Sequence, residues 1–478
     1  MYNAHVTARV WVLWALFLVR GAFFCAMLPL WEAWDEYAHF AWLEHWNTIG
    51  TLPRSTTPVS AEIEESLKLT PLTEELKWMG PGHYTYEQWW ALPAAARAGK
   101  ERHLAGLRGE SRNEAAVTPL MLYQAQQPPL FYWLAAIPER LTARWPLRQR
   151  VVLVRLFSLL LASAVIPLAW LAARSVLDDT AATMCVTLLA IAPVLTLDAA
   201  RVANDGLAIA LTAVVLLILM RRGPGLALGI VLGAGLLTKA YLLTLLPAVI
   251  LARRKNALAP VAIALAVAGW WYARNLLLGN SLSRWQDHAG SAAIAAAVTQ
   301  VNWLAAANVL AKSFFWFGGW SFLTLKSWMY IVLEIIGAAG FALALRKRGL
   351  AAAWAMSGFQ LLAIGYGVLI YYAVHRVGNL PGWYLWPMAA PLALLLGAGL
   401  ARWTAALVLL LGVADIYGTT ALMVPYYAGF VPRNRANGAQ FLAGLGRLQV
   451  PLWLAAAWLV ATLAVVAVSL RPGMRRSR

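Results

Sequence analysis

The sequence predicts an all-α polytopic membrane protein, a bundle of about 12 transmembrane helices with a large first extracytoplasmic loop. Three observations predict it. Of 478 residues, 61% are hydrophobic and 13% charged, with a mean hydropathy of +0.63; a soluble globular chain carries about a quarter charged residues. The apolar residues fall in runs of about twenty, the length a helix needs to cross roughly 30 Å of hydrocarbon with its backbone hydrogen bonds internally satisfied. The basic residues, finally, cluster in short links between those runs.

The first run, about 10–30, is too long for a signal-peptide core and has no small-residue cleavage site after it, so it reads as a retained span. Further spans are expected near 151–173, 180–197, 203–220, 224–238, 240–252, 257–274, 327–345, 350–373, 383–400, 403–423 and 450–470. Many of the 25 tryptophans flank them, as interfacial anchors do. A cytoplasmic N-terminus then puts Arg221-Arg222, Arg253-Arg254-Lys255, Arg346-Lys347-Arg348 and the cluster from Arg471 to Arg478 inside. The same count puts 31–150 (first extracytoplasmic loop) and 275–326 (second extracytoplasmic or interfacial segment) outside. The stretch 303–323 holds Lys312 and Gly318-Gly319 and is expected to be interfacial or re-entrant.

The net charge of +18 invites a nucleic-acid reading, which its distribution opposes. Residues 1–114 hold 10 basic and 13 acidic side chains, residues 115–478 hold 29 and 8. The excess therefore sits in the links between spans, a positive-inside pattern, and no nucleic-acid partner is expected. Cys25 and Cys185 lie within apolar runs and offer no disulfide framework.

Chemistry is sought where polar residues gather. The first loop opens Trp31-Glu32-Ala33-Trp34-Asp35-Glu36-Tyr37-Ala38-His39-Phe40 and runs through Trp42, Glu44, His45 and Trp46 to Gly50. It reads as a helix lying on the membrane surface, with Asp35 and His39 sharing a face; solvated charges on an interfacial helix are the plainer alternative. Gln127-Pro128-Pro129 either shapes a site or merely punctuates two helices. Asn204-Asp205 sits at a span mouth, where an acid must be hydrated, paired or capping. Lys239, Arg274 and Arg376 are cations at outer span ends, against the inside bias, unless they snorkel to headgroups. Carboxylates and cations at one membrane surface suit transfer from a lipid-linked phosphosugar. One base takes the acceptor's proton, and a phosphate leaving group needs only positive charge.

These motifs resemble the GT-C class of polyprenyl-phosphate-sugar glycosyltransferases, including the protein mannosyltransferases and the lipid A aminoarabinose transferase. The resemblance rests on Trp34-Asp35-Glu36-Tyr37-Ala38-His39-Phe40, Gln127-Pro128-Pro129-Leu130-Phe131-Tyr132-Trp133, Asn204-Asp205-Gly206, Leu237-Thr238-Lys239-Ala240-Tyr241 and Arg274-Asn275. It continues through Ser313 to Trp320 and Trp383-Tyr384-Leu385-Trp386-Pro387, in the family's order. It implies a GT-C-type bundle forming a single domain over 1–478, a polyprenyl-phosphate sugar as donor, and a lipid, glycan or protein acceptor. The location implied is the cytoplasmic membrane, with the site on its extracytoplasmic face. Asp35 matches the family's catalytic acid and Asp205 its second acid. Glu36 directly follows Asp35, which leaves open which of the two is the base. Lys239 and Arg274 fall near the donor phosphate, with Arg376 a third candidate. His39 with Asp35 would hold a divalent metal in those members that use one. Many relatives carry a soluble domain after the last span; about eight residues follow it here, so the outer site is expected to be built from loops. The 60–115 stretch, with Glu62, Glu64, Glu65, Glu74 and Glu75, is expected to cover that site. A transporter or lipid flippase would instead show paired repeats with binding groups near mid-membrane. A polysaccharide polymerase or ligase would place its large loop late, and a non-catalytic scaffold would share every motif.

Overall fold

The computed structural model describes residues 2–79, 82–118, 120–278 and 289–470. The fold is all-α. Among the described residues the only named strands are Pro71–Leu72 and Tyr84–Thr85, paired in parallel. Among the described residues, eight helical stretches are long and apolar enough to cross a membrane, or up to ten if each of two sharply bent pairs is one span. Asp205–Met220 and Gly225–Leu236 are shorter apolar helices. The chain is a multi-pass membrane protein. Length and composition alone do not confirm the exact count of about twelve.

The differences have local causes. The expected 180–197 span is two helices, Asp179–Ile191 and Pro193–Ala199, set at 62°. Pro193 cannot donate to a continuing helix and drives Ala192 to an extended ψ of 112°. Ser291–Gln300 and Trp303–Phe315 meet at 86°, the bend of a broken span or a re-entrant segment. Ala240–Leu277 runs for 38 residues, which as a straight helix would measure about 57 Å, nearly twice the hydrocarbon thickness. It reverses at Arg254, whose φ of 51° and ψ of −124° end the Leu245–Arg253 helix. Packing shows the reversal independently. Gly225 lies beside Pro260, Gly229 beside Ile263 and Gly233 beside Val267, so Gly225–Leu236 and Leu258–Leu277 run parallel. The intervening arm must return. A Cβ at Gly229 or Gly233 would collide with the facing helix, so glycine permits that approach.

Of the eight candidate spans, Gly382–Leu400 is the most enclosed, with 89% of its apolar window buried within the protein. An ion pair closes the bundle between its first and a late span: Arg20 Nη2 lies 2.9 Å from Asp415 Oδ2, with both side chains inaccessible. Helix directions give the bundle a polarity. Asp205 and Lys239 sit together at one end, so Asp205–Met220 carries Arg221-Arg222 to the other. Arg253 donates there to the carbonyls of Ile218 and Gly223, and Gly349, just after Arg346-Lys347-Arg348, packs on Val176. The cluster from Arg471 to Arg478 lies outside the described residues.

The 31–150 insertion sits at the end holding Asp205. It contributes Glu36–Ile49, Ala61–Lys68, Ala94–Gly106 and Leu130–Leu141. The helix expected after Trp31 begins at Glu36 and stops at Gly50, whose φ of 74° is a left-handed cap. It does not lie on the surface, however. Trp31, Trp34, Trp42 and Glu36 are all buried within the protein.

Candidate functional site

The chain leaves its first span at Met27 and reaches Asp35 through a left-handed turn. Asp35 has φ 60° and ψ 8° and occupies the N-cap of Glu36–Ile49 without a side-chain capping bond. An N-cap aspartate ordinarily gives its carboxylate to the first free N–H groups of the helix. Here the backbone carbonyl of Asp35 accepts from His39 N at 3.0 Å, and the carboxylate turns away to accept from Tyr123 Oη at 2.5 Å. From Trp31 to Glu44, Asp35 alone is not fully buried. A non-glycine residue held left-handed at a cleft is the kind of local strain that functional sites carry.

Glu36 has the opposite fate. Its two oxygens accept from Arg155 Nε at 2.7 Å and Nη2 at 2.5 Å, and Oε1 also accepts from Val202 N at 3.1 Å. Arg155 in turn donates to the carbonyls of Cys25, Leu28 and Pro29. Glu36 thus ties the insertion to the end of the first span and does not line the cleft that Asp35 faces.

Asp35 opens onto a cleft of about 1750 Å³, lined also by His39, Arg201, Asp205 and Lys239. Asp205 holds both cations: Oδ1 is 2.5 Å from Lys239 Nζ and Oδ2 is 2.5 Å from Arg201 Nη2. Arg201 is further held by Asp198 and by the carbonyl of Trp34, and its guanidinium lies 4.5 Å over the Trp34 ring. Asn204 donates to Gln127 Oε1 and to the Thr238 carbonyl and accepts from Lys239 Nζ at 3.2 Å. Its side chain therefore links three sequence motifs and does not cap its helix. Leu130 N donates to Leu237 O at 2.9 Å, fixing the segment after the proline pair against the one holding Lys239.

The facing wall is aromatic. Trp383 stacks on Trp34 with centroids 4.9 Å apart, and Phe317 packs on both Trp383 and Phe322. Ser313 Oγ accepts from Gly382 N at 2.6 Å, locking that wall's two segments together. Among the described residues, no lining residue comes from 60–115, the stretch expected to cover the site. The cover comes instead from 309–322 and 371–384.

Burial raises the pKa of Asp35; the Tyr123 hydrogen bond and the charges of Arg201 and Lys239 work against that rise. Burial and the same two cations hold His39 well below the usual histidine range, so its ring is neutral. His39 Nδ1 lies 2.6 Å from Tyr132 Oη. Among the described residues no three His, Cys, Asp or Glu side chains group to hold a metal. The two carboxylates of the cleft lie among two cations, and the two oxygens of Asp205 are already engaged, one on each cation. That donor set does not fit a divalent ion.

The structure thus gathers Asp35, His39, Asp205 and Lys239. It places Arg274 elsewhere, donating to the Pro53 carbonyl and stacked 5.0 Å over Trp271. Arg376 is exposed, donates to Gln300 and lies over Tyr372. Arg201 is the residue the sequence reading missed. It is a cation at the cleft end with acids three residues before and four after, a pattern visible in the 198–205 stretch.

No family model matches the chain, and no curated protein does. Solved structures give the comparison. The chain is similar to ArnT from Cupriavidus metallidurans bound to undecaprenyl phosphate. That likeness has 16% identity and a TM-score of 0.49 over 98% of this chain and 75% of that one. The apo form of ArnT gives 16%, 0.48, 98% and 74%. The archaeal oligosaccharyltransferase AglB from Archaeoglobus fulgidus, in complex with an inhibitory peptide and a dolichol-phosphate, gives 14% and 0.41. There the likeness spans 96% of this chain and about half, 56%, of the other.

Proposed function

We propose that the protein is an inverting glycosyltransferase. In this reading it moves a sugar from a polyprenyl-phosphate donor to a hydroxyl-bearing acceptor (lipid, glycan or protein) at the extracytoplasmic face of the cytoplasmic membrane. One observation carries the reading. A single accessible carboxylate, Asp35, shares a large cleft with two cations, Arg201 and Lys239, beneath an aromatic wall.

Asp35 is the general base. It accepts the proton of the acceptor hydroxyl as that oxygen attacks the anomeric carbon, and the bond from that carbon to the phosphate oxygen breaks in the same displacement. The electron pair leaves with the polyprenyl phosphate. A phosphate needs no protonation to depart, only positive charge where negative charge develops. Lys239 uses two of its three N–H groups on Asn204 and Asp205, which leaves one for the phosphate. Arg201 keeps an Nη1–H beside its bond to Trp34 O. Asp205 positions both cations and does not exchange protons. Undecaprenyl phosphate and dolichol phosphate, named with the similar structures, belong to the lipid class this reading assigns to the cleft.

The test is release of polyprenyl phosphate from a panel of polyprenyl-phosphate sugars by the full chain in nanodiscs. Asp35→Asn should lower turnover by about 10²–10⁴-fold, the usual worth of a general base, with thermal unfolding unchanged. Retained turnover would remove Asp35 from the mechanism. Because the donor set disfavours a divalent ion, dialysis against EDTA should leave turnover intact. Loss restored by added Mg²⁺ or Mn²⁺ would overturn the metal-free reading.

A further inference from the structure

A second cavity, of about 1090 Å³, opens at the same end of the bundle on the other side of the 29–35 segment. Pro29 and Leu30 line it, whereas Trp34 and Asp35 line the cleft. Its place is where the first span ends, at Met27, and the second begins, at Leu147. Its lining is of two kinds. Met27, Leu30, Trp89 and Leu104 make an apolar side, and Arg148 and Arg447 bring two guanidinium groups to the other.

Neither arginine has an acid partner among the described ion pairs. Arg148 donates to Gln449 Oε1 at 3.2 Å and to Leu448 O at 3.0 Å. Arg447 donates to Ala428 O at 2.8 Å and is stacked against Phe430 at 3.9 Å and Trp90 at 4.9 Å. Both forks are therefore held in place by neutral groups, and most of the five N–H groups on each are left unused. Glu101 also lines the cavity and its charge acts on Arg148, but two guanidinium groups against one carboxylate leave the lining net positive. Elsewhere in this end of the protein the buried arginines are neutralised: Arg155 by Glu36, Arg201 by Asp198 and Asp205, Arg150 by Glu44, Glu62 and Glu139. Arg148 is half-buried and Arg447 exposed, so both keep their charge open to a ligand in a cavity that also has an apolar side.

We propose that this second cavity binds the phosphate-bearing headgroup of an anionic membrane lipid. The two guanidinium groups hold the phosphate, and the Met27–Leu30 side covers the start of the chains. A planar fork suits phosphate oxygens, and a site where two spans emerge lies at headgroup depth. Only a thin wall separates this site from the cleft. Tyr427 lines the cavity and donates to Glu32 Oε1 at 3.0 Å, and the same oxygen accepts from Ser321 N at 2.8 Å. Ser321 stands between Trp320 and Phe322 on the cleft side.

The proposal does not depend on glycosyl transfer, and binding tests it directly. Native mass spectrometry of the full chain in neutral detergent would measure uptake of dihexanoyl phosphatidylglycerol, dihexanoyl phosphatidylcholine and inorganic phosphate in separate arms. Phosphatidylglycerol should bind at least ten-fold more tightly than phosphatidylcholine or phosphate. Arg148→Gln with Arg447→Gln should remove that preference, and the double Lys variant should restore much of it. Arg447→Gln alone, a change at an exposed side chain, should weaken binding at least three-fold and guards against misfolding of the double variant. Asp35→Asn and Lys239→Gln should bind as the unmodified chain does. Equal binding of both lipids, equal competition by free phosphate, or loss in Lys239→Gln but not in the arginine variants would each overturn the lipid site.

Discussion

At the scale of the residue, the decisive contrast lies between two adjacent acids. Asp35 and Glu36 are chemically near-equivalent in the sequence, yet the first faces a cleft and the second is clamped by Arg155. The left-handed backbone at Asp35 is what parts them. Burial raises the Asp35 pKa, which suits a base working near neutrality. The acid limb of kcat/KM should therefore lie above the ordinary aspartate range. Tyr123 donates to the charged form, so Tyr123→Phe should move that limb higher still; a pH profile that shifts down or stays put would contradict the assignment. Glu32 gives a separate test. It is fully buried and bonded by Tyr86, Tyr427 and Ser321, and burial pushes it up to about 7 against a reference of 4.5. Its folded-state pKa is raised, so its stabilising effect is complete below about 4.5 and is lost as pH rises through 7. Glu32→Gln should flatten that part of the stability profile and raise the unfolding temperature relative to the unmodified chain above pH 7. Asp35, Asp205 and Lys239 were readable from the sequence because each breaks a local rule, an acid or cation at a span mouth. Glu36 breaks the same rule, and only its partner from the second span shows why it is unavailable.

At the scale of the element, the Glu36–Ile49 helix shows how far local pattern carries. Its limits were readable, because Gly50 is a left-handed stop. Its depth was not. Tryptophans between charges suggest a surface helix only if the charges stay solvated. Here Glu44, Glu62 and Glu139 converge on Arg150, all within 3.3 Å and all inaccessible. Burial and the neighbouring Glu62 push Glu44 up to about 8, with Arg150 opposing the rise. Three carboxylates around one guanidinium make Arg150 the member whose loss is least tolerable. Removing one partner of a buried charge network typically costs about 3–5 kcal/mol. Arg150→Gln should lower the unfolding temperature sharply in detergent, whereas the exposed Arg376→Gln should leave it unchanged. Equal behaviour of the two variants would mean that the network contributes nothing to stability. The expected lid over 60–115 was misplaced for a related reason. Its acids Glu62 and Glu64 are engaged within the insertion, Glu62 on Arg150 and the Gly109 amide and Glu64 on Lys68 and the Val117 amide, and so turn away from the cleft.

At the scale of the molecule, polarity joins the fold to the proposed activity. The described basic clusters gather at the end of the bundle remote from the cleft, while Asp35, Arg201 and Lys239 share the end bearing the insertion. This arrangement requires Ala240–Leu277 to fold back on itself. A single 38-residue span would send Lys239 and the arm after Arg254 to opposite sides. The parallel packing of Gly225–Leu236 on Leu258–Leu277 forbids that alternative. Positive residues favour the cytoplasmic side, so the cleft end should face outward, where a membrane-bound donor could meet an extracytoplasmic acceptor. Reporter fusions after residues 110, 254 and 347 would decide the point. The first should report an extracytoplasmic position and the other two a cytoplasmic one. A cytoplasmic report at 110 would place Asp35 on the wrong face for the proposed transfer. An extracytoplasmic report at 254, with 347 cytoplasmic, would break the reversal at Arg254 and with it the path that brings Lys239 to Asp205.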